Sequence, residues 1–331
     1  MLLGVPREIK NNEYRVGLTP DSVSELVSRG HSVLVERACG AAIGFSDRLY
    51  TEAGAELVEA AEEVYRRADL LVKVKEPQAQ ECQWLRESQL LFTFLHLASS
   101  SRLVQRLQAS GVSAIAYETV TGRAGGLPLL MPMSEIAGRM AVQAGAHHLE
   151  LAQGGAGLLL GGVAGVAPAR VTILGAGVVG ANAAAVAVGM GAEVVVLDRD
   201  LAPLRALQAR YAGRISTLHA TQGSIATAAA QADLLVAAVL LPGAATPRLI
   251  TREHLRSMRT GSVLVDVSID QGGCAQTSRP TTHEQPTYVV DGVVHYCVAN
   301  IPGTVARTAS QALNSATLPY VAALADAGGW P

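Results

Sequence analysis

Aromatic side chains are scarce: Trp, Tyr and Phe make up 4% of the 331 residues. The interior must then be filled by Ala, Val and Leu, which suits helices lying close on parallel strands. Charged residues are also few, at 16% against 49% hydrophobic, and the net charge is −2. That balance excludes a disordered charged tail and leaves no electrostatic footprint for nucleic acid or an anionic membrane surface. Cysteine occurs at Cys39, Cys82, Cys274 and Cys297, without C-x-x-C or metal-finger spacing. Reduced buried thiols, no metal site and a cytoplasmic setting are expected. Long apolar runs are missing as well. The opening MLLGVPREIK is too short for a secretory signal. Every longer apolar stretch is broken by Gly, Gln, His or Glu, so no membrane span is expected.

What the sequence does have is alternation. LLGVP reads as a strand, PDSVSELVSRG as a helix with an Asp cap and a Gly stop, and HSVLVE as a strand again. LLVKVK, QLLFTF and SAIAYE are further strands, separated by amphipathic segments such as RLVQRLQASG. Strand and helix in alternation imply a parallel sheet wrapped by helices. From Pro132 the pattern changes to a long helix, MSEIAGRMAVQAGAHHLELAQGG, read as connecting two domains. A glycine-rich linker leads to a second α/β unit containing RVTILG, GANAAAVAVGMG, AEVVVLD, ATAAAQADLLVAAVL and GSVLVDVSID. The last stretch, TVARTASQALNSATLPYVAALADAG, is helical and is expected to return to the first domain.

In VTILGAGVVG the glycines Gly175, Gly177 and Gly180 follow a strand and open a helix. Such spacing alone could be a tight turn. Here a second strand follows and ends in the acid Asp198, at the roughly 20-residue distance that dinucleotide folds use. In that reading Gly175 makes the turn, Gly177 lets a pyrophosphate reach the backbone, and Gly180 lets the helix sit on the strand. The helix N-terminus offers N–H groups to the phosphates. Asp198 can accept the ribose hydroxyls and repel a 2′-phosphate, which favours NAD over NADP, although the neighbouring Arg199 could welcome that phosphate.

Ligands in open parallel sheets bind beyond the carboxyl ends of strands. Arg15, Lys75, His96 and Asp270 all fall at such places. Each has a plainer reading, as an ion-pair partner, a structural histidine or a turn cap. Lys73 and Lys75 share a face, so spacing does not choose between them. Together, a base, an acid and two cations in a nicotinamide-binding chain suggest a site for a small carboxylate.

GVPREIKNNEYRVGLTP, KVKEP, LFTFLHLA, AIAYETV, LPLLMPMSEIAGR, GAGVVG, DQGGC and RPTTHEQPTY occur in order along nearly the whole chain. Together they resemble the alanine dehydrogenase family. The related alpha subunit of nicotinamide nucleotide transhydrogenase shares part of the pattern. The resemblance implies an α/β architecture of two doubly wound domains joined by long helices: a Rossmann dinucleotide-binding domain over residues 133–305, and a flavodoxin-like parallel-sheet substrate domain over 1–132 and 306–331. It implies reversible, NAD-dependent oxidative deamination of L-alanine to pyruvate and ammonia by a cytoplasmic homohexamer. Carried over, Arg15 and Lys75 hold the substrate, and His96 and Asp270 are the acid/base residues. The dinucleotide would be met by Ser134, the Gly175–Gly180 turn with Val178 and Val179, Asp198, Val239 and Leu240, the run Val267, Ser268, Ile269 and Asp270, then Arg279, Val298, Ala299, Asn300 and Ile301. Two positions depart from the family on the adenosine side, Pro203 for a basic residue and Ala220 for a hydroxyl. The sequence given stops at Trp330-Pro331, before the family's usual C-terminal segment. Two other readings remain: a transhydrogenase alpha-like NAD(H)-binding subunit, and a truncated, inactive NAD-binding protein.

Overall fold

The apolar runs become short buried parallel strands, and the amphipathic segments between them become the helices that cover the sheet. The structure is a computed structural model that describes residues 1–123, 125–239 and 246–329. Two units divide the chain: Met1–Met133 with the segment from Val305 onward, and Ser134–Thr304.

The first unit contains β1 (Leu2–Val5), β2 (Ser32–Glu36), β3 (Glu56–Val58), β4 (Leu70–Val72), β5 (Leu90–Thr93) and β6 (Ser113–Ala116). They form one parallel sheet in the order β3-β2-β1-β4-β5-β6. The doubly wound parallel sheet expected of this unit is present. Its strand order is that of dinucleotide-binding sheets rather than flavodoxin's five-stranded order. The order reverses between β1 and β4, the switch point beyond whose carboxyl ends such sheets bind ligands. Leu34, Val64, Leu71, Leu91 and Leu103 pack one face of the sheet.

Helix Pro20–Ser28 starts two residues earlier than an Asp21 cap implies. Thr19 is the cap, its hydroxyl accepting the Ser22 N–H, and Pro20 takes the first helical position. The last helix, Ala306–Asp326, belongs to this unit. Its Ser310 Oγ accepts the Val16 N–H at 3.1 Å and its Asn314 Oδ1 accepts the Thr19 N–H at 2.8 Å. The loop that carries Arg15 is thus tied to the far end of the sequence.

The second unit contains β7 (Arg170–Leu174), β8 (Glu193–Asp198), β9 (Ile215–His219), β10 (Leu234–Ala237), β11 (Val263–Asp266), β12 (Thr287–Val290) and β13 (Val293–Tyr296). Their order is β12-β13-β11-β10-β7-β8-β9, parallel except for the β12–β13 hairpin at the edge. The hairpin turns at Asp291-Gly292, both with positive φ, as a tight two-residue turn requires. The helix expected to run through LELAQGG spans Met131–His148 and gives way to a single 3-10 turn at Leu151–Gln153. GSVLVDVSID is a strand only to Asp266; Val267–Gln271 winds into a 3-10 turn, so Asp270 lies beyond the strand end as expected, at a distance of one 3-10 turn.

Among the described residues, no helix is long and apolar enough to cross a membrane, and no three metal-ligating side chains are grouped. The four cysteines are buried free thiols. Burial pushes Cys39 and Cys274 up to about 12, which leaves them protonated and inert.

Candidate active site

In the first unit, the loops after β1, β4 and β5 supply three of the expected residues. Gly17 fixes the course of the first loop. A Cβ there would stand 2.1 Å from the Val72 carbonyl oxygen, so the chain around Arg15 runs directly over the end of β4. Arg15 is buried, and the buried carboxylate of Glu13 grips it side-on. Nε donates to one Glu13 oxygen at 2.8 Å and Nη2 to the other at 2.5 Å, while Nη1 points to Met133 Sδ at 3.1 Å. A guanidinium locked in this fork has little rotamer entropy left to lose.

The structure separates the two lysines. Lys73 is fully buried, with its ammonium 3.1 Å from Glu8 and 2.8 Å from Glu81, and Tyr65 donates a further hydrogen bond to Glu81. Burial opposes the Lys73 charge, but the two carboxylates outweigh it and raise its pKa. Burial also pushes Glu8 above the usual carboxylate range, against the pull of Lys73. Lys73 is therefore a structural ion, and Lys75 is the one that reaches His96, Nζ to Nε2 at 3.5 Å. Glu8 also takes the backbone N–H groups of Val74 and Lys75, and Thr93 donates to the Lys75 carbonyl. The loop bearing Lys75 is thereby anchored to both neighbouring strand ends.

His96 follows β5 in a left-handed conformation, φ 49°, unusual for a residue with a Cβ. Its ring is exposed and stacks on Phe94 at 5.8 Å. Phe94 in turn meets the edge of buried Tyr117 at 5.0 Å. Glu13, Glu8 and Glu118, the acidic residues behind these three side chains, had no place in the sequence reading. Their one signal was position, since each lies beside a strand end.

In the second unit the glycine turn follows β7. Gly175 has φ 101°, and a Cβ on it would lie 2.5 Å from the Ala238 oxygen. A Cβ on Gly180 would lie 1.8 Å from the Gly175 oxygen. Both are glycine because the protein's own backbone leaves no room. Gly177 differs: a Cβ there would meet nothing. It begins helix Val178–Gly189, which no side chain caps. An uncapped N-terminus preceded by an open glycine fits a phosphate group. Asp198, at the end of β8, accepts the Ala176 N–H at 2.6 Å and the Asp200 N–H at 2.9 Å. Its carboxylate oxygens still have capacity for further donors.

Val239 follows β10, and its carbonyl accepts from Ser268 Oγ at 2.7 Å. Leu240 lies outside the described residues, as do Trp330 and Pro331. Buried Asp266 organises the turn after β11, accepting the N–H groups of Ser268, Cys274 and Ala275 and the Ser278 hydroxyl. Val267 and Ile269 lie within that turn, and Asp270 stands exposed on it. Arg279 lies over the Tyr288 ring at 4.4 Å. Val298 bridges to Thr281, Ala299 donates to the Thr281 carbonyl, and Asn300 has φ 59° before Ile301. Ser134 is half-buried near the start of helix Met131–His148. That helix touches the dinucleotide-type turn through Gly138, where a Cβ would lie 2.1 Å from the Val179 oxygen. The first unit therefore gathers Lys75 and His96 with Arg15 in the adjoining loop. The second gathers the glycine turn, Asp198, Val239 and Ser268.

Two doubly wound units, one with a Rossmann-type glycine turn and one with cations at its strand ends, define an α/β protein of the dehydrogenase kind. Comparison with known proteins narrows the class. The family model "Alanine dehydrogenase/PNT, N-terminal domain" matches residues 4–137, and "Alanine dehydrogenase/PNT, C-terminal domain" matches 141–330. The chain belongs to the alanine dehydrogenase/PNT family. It is 60% identical to an alanine dehydrogenase of Halomonas elongata over 99% of this chain and 88% of that protein. It is 52% identical to one of Bacillus subtilis over 99% of this chain and 86% of that protein. A solved L-alanine dehydrogenase superposes with a TM-score of 0.96 at 52% identity, covering 99% of this chain and 91% of that one. A transhydrogenase of Sinorhizobium meliloti is more distant, with a TM-score of 0.87 at 26% identity over 98% of this chain and 94% of that one.

Proposed function

We propose that this chain catalyses the reversible oxidative deamination of L-alanine: L-alanine, NAD⁺ and water give pyruvate, ammonium, NADH and a proton. The observation that carries this reading is the pairing of Lys75 with His96, in the same unit as an Arg15 locked in place by Glu13. A carboxylate needs a fixed cation, and Arg15, held along its Nε–Nη2 edge by Glu13, supplies one. Lys75 adds the second cation and polarises the carbonyl or imine. His96 exchanges a proton with the substrate at near-neutral pH. Asp270 assists proton transfer as water adds to the imine carbon and ammonia departs. A bound nicotinamide would supply the hydride acceptor for Cα of alanine.

The residues present fit a dinucleotide. The pyrophosphate would lie over Gly177 at the uncapped helix, and Asp198 would take the ribose hydroxyls. Val178, Val179, Val239, Ser268, Arg279 and the 298–301 run would complete the contacts. In this reading residues 1–132 and 306–331 hold the substrate, and 133–305 hold NAD. A cytoplasmic homohexamer is proposed on family membership alone. The transhydrogenase-like reading is less favoured, because identity to that structure is half that to the L-alanine dehydrogenase. The inactive reading is disfavoured by the intact Arg15, Lys75, His96 and Asp270.

The test follows NADH absorbance with pyruvate and ammonium. Consumption that disappears when ammonium is left out supports the proposal, and NADH binding without turnover refutes it. His96→Ala should abolish turnover while leaving NADH affinity nearly unchanged; surviving turnover would remove His96 from the mechanism.

A further inference from the structure

We propose that Glu118 is a positioning residue for the reaction, holding His96 in the backbone conformation that presents its ring; this rests on the acid/base role proposed for His96. Glu118 lies in the loop after β6, next to the strand that His96 follows. One of its carboxylate oxygens accepts the His96 N–H at 2.6 Å. Both oxygens also lie 3.2 Å from the Leu95 nitrogen. The two N–H groups bracket the bend at which His96 adopts φ 49° and ψ 42°. A left-handed residue with a Cβ is a strained element that persists only when its surroundings over-determine it. Glu118 is the over-determining contact, because a single side chain accepts two successive N–H groups at the bend.

The ring is fixed by a second device from the same loop. Tyr117, beside Glu118, packs edge-on against Phe94, and Phe94 stacks on His96 with an interplanar angle of 7°. Residues 117 and 118 therefore set the histidine from two sides: one through its backbone, the other through the ring beneath it. Released from Glu118, the backbone at 96 would relax toward ordinary φ values. The imidazole would then leave its place beside the Lys75 ammonium, 3.5 Å away.

The experiment compares Glu118→Ala and Glu118→Gln with the parent protein in ammonium-dependent pyruvate reduction. A displaced acid/base group costs kcat, so Glu118→Ala should lower kcat by roughly 30-fold, since a small misplacement can cost on the order of a hundredfold. KM for pyruvate should change by less than about threefold, because Arg15 is undisturbed. NADH affinity should stay the same. Gln keeps an oxygen at the shared acceptor position, so Glu118→Gln should recover kcat to within about fivefold of the parent, the difference between a neutral and a charged acceptor being modest. Equal loss in both variants would overturn the proposal, since the charge and not the acceptor would then matter. An unchanged kcat in Glu118→Ala would also overturn it. If Glu118→Ala does not fold, a Glu118→Gln variant with unchanged melting temperature but a kcat as low as that of His96→Ala would overturn it too. His96→Ala measured alongside separates the two ideas: if it retains turnover, the acid/base assignment has failed rather than the role of Glu118.

Discussion

Gly177 and Gly180 are three positions apart and are glycine for opposite reasons. Gly180 presses on the Gly175 carbonyl, so Gly180→Ala must push the helix off the strand and should cost about 3 kcal/mol. Gly177→Ala places its methyl in open space. It should leave the urea midpoint unchanged and weaken NADH binding roughly tenfold, about 1.4 kcal/mol. Urea denaturation and NADH fluorescence titration on the two variants check both halves. If Gly177→Ala binds NADH as tightly as the parent does, the phosphate is not over that residue. The same scale explains a choice that spacing could not make. Lys73 and Lys75 are equivalent in a strand pattern, and only the buried carboxylates of Glu8 and Glu81 show which of them is a structural ion.

Helix Ala306–Asp326 contributes to the site through a loop it never joins in sequence. Asn314 accepts the Thr19 N–H, donates to the Val16 carbonyl and is buried. Asn314→Ala leaves a buried N–H unpaired, which should cost about 1–3 kcal/mol. It should also raise KM for pyruvate more than it lowers kcat, because it loosens the loop of Arg15. Equal KM in parent and variant would mean that the tie does not reach the site. Legibility also divides by element. The strands, the glycine turn and the acid that ends β8 are readable because apolar runs, turn glycines and their spacing are local signals. The Asp291-Gly292 hairpin carries an equally local signal, two turn residues between apolar runs. Glu13, Glu8 and Glu118 were not readable. Their roles come from meeting residues of other loops or a guanidinium two positions away, and nothing in a charge pattern tells a buried clamp from a solvated surface acid.

Over the whole molecule, stability must follow the buried histidines. Burial pushes both His148 and His295 below the usual histidine value. His295 has a carbonyl on one ring nitrogen and the Thr277 hydroxyl on the other. Their folded pKa values lie below the unfolded one, so the unfolded chain binds more protons as pH falls below about 6.5. Their contribution is therefore present above that pH and is lost on acidification. The urea midpoint should fall between about pH 7.5 and pH 5.5, and less steeply in His295→Gln. A midpoint independent of pH over that range would contradict this.

Direct transfer of hydrogen to the carbon that bears nitrogen is the central step of the proposed reaction. NADH deuterated at the transferring position of its nicotinamide should be incubated with pyruvate and ammonium, and the product examined by NMR and mass spectrometry. The account predicts L-alanine with one deuterium at Cα. Alanine without the label, lactate in its place, or label passed only to a second nucleotide would contradict it.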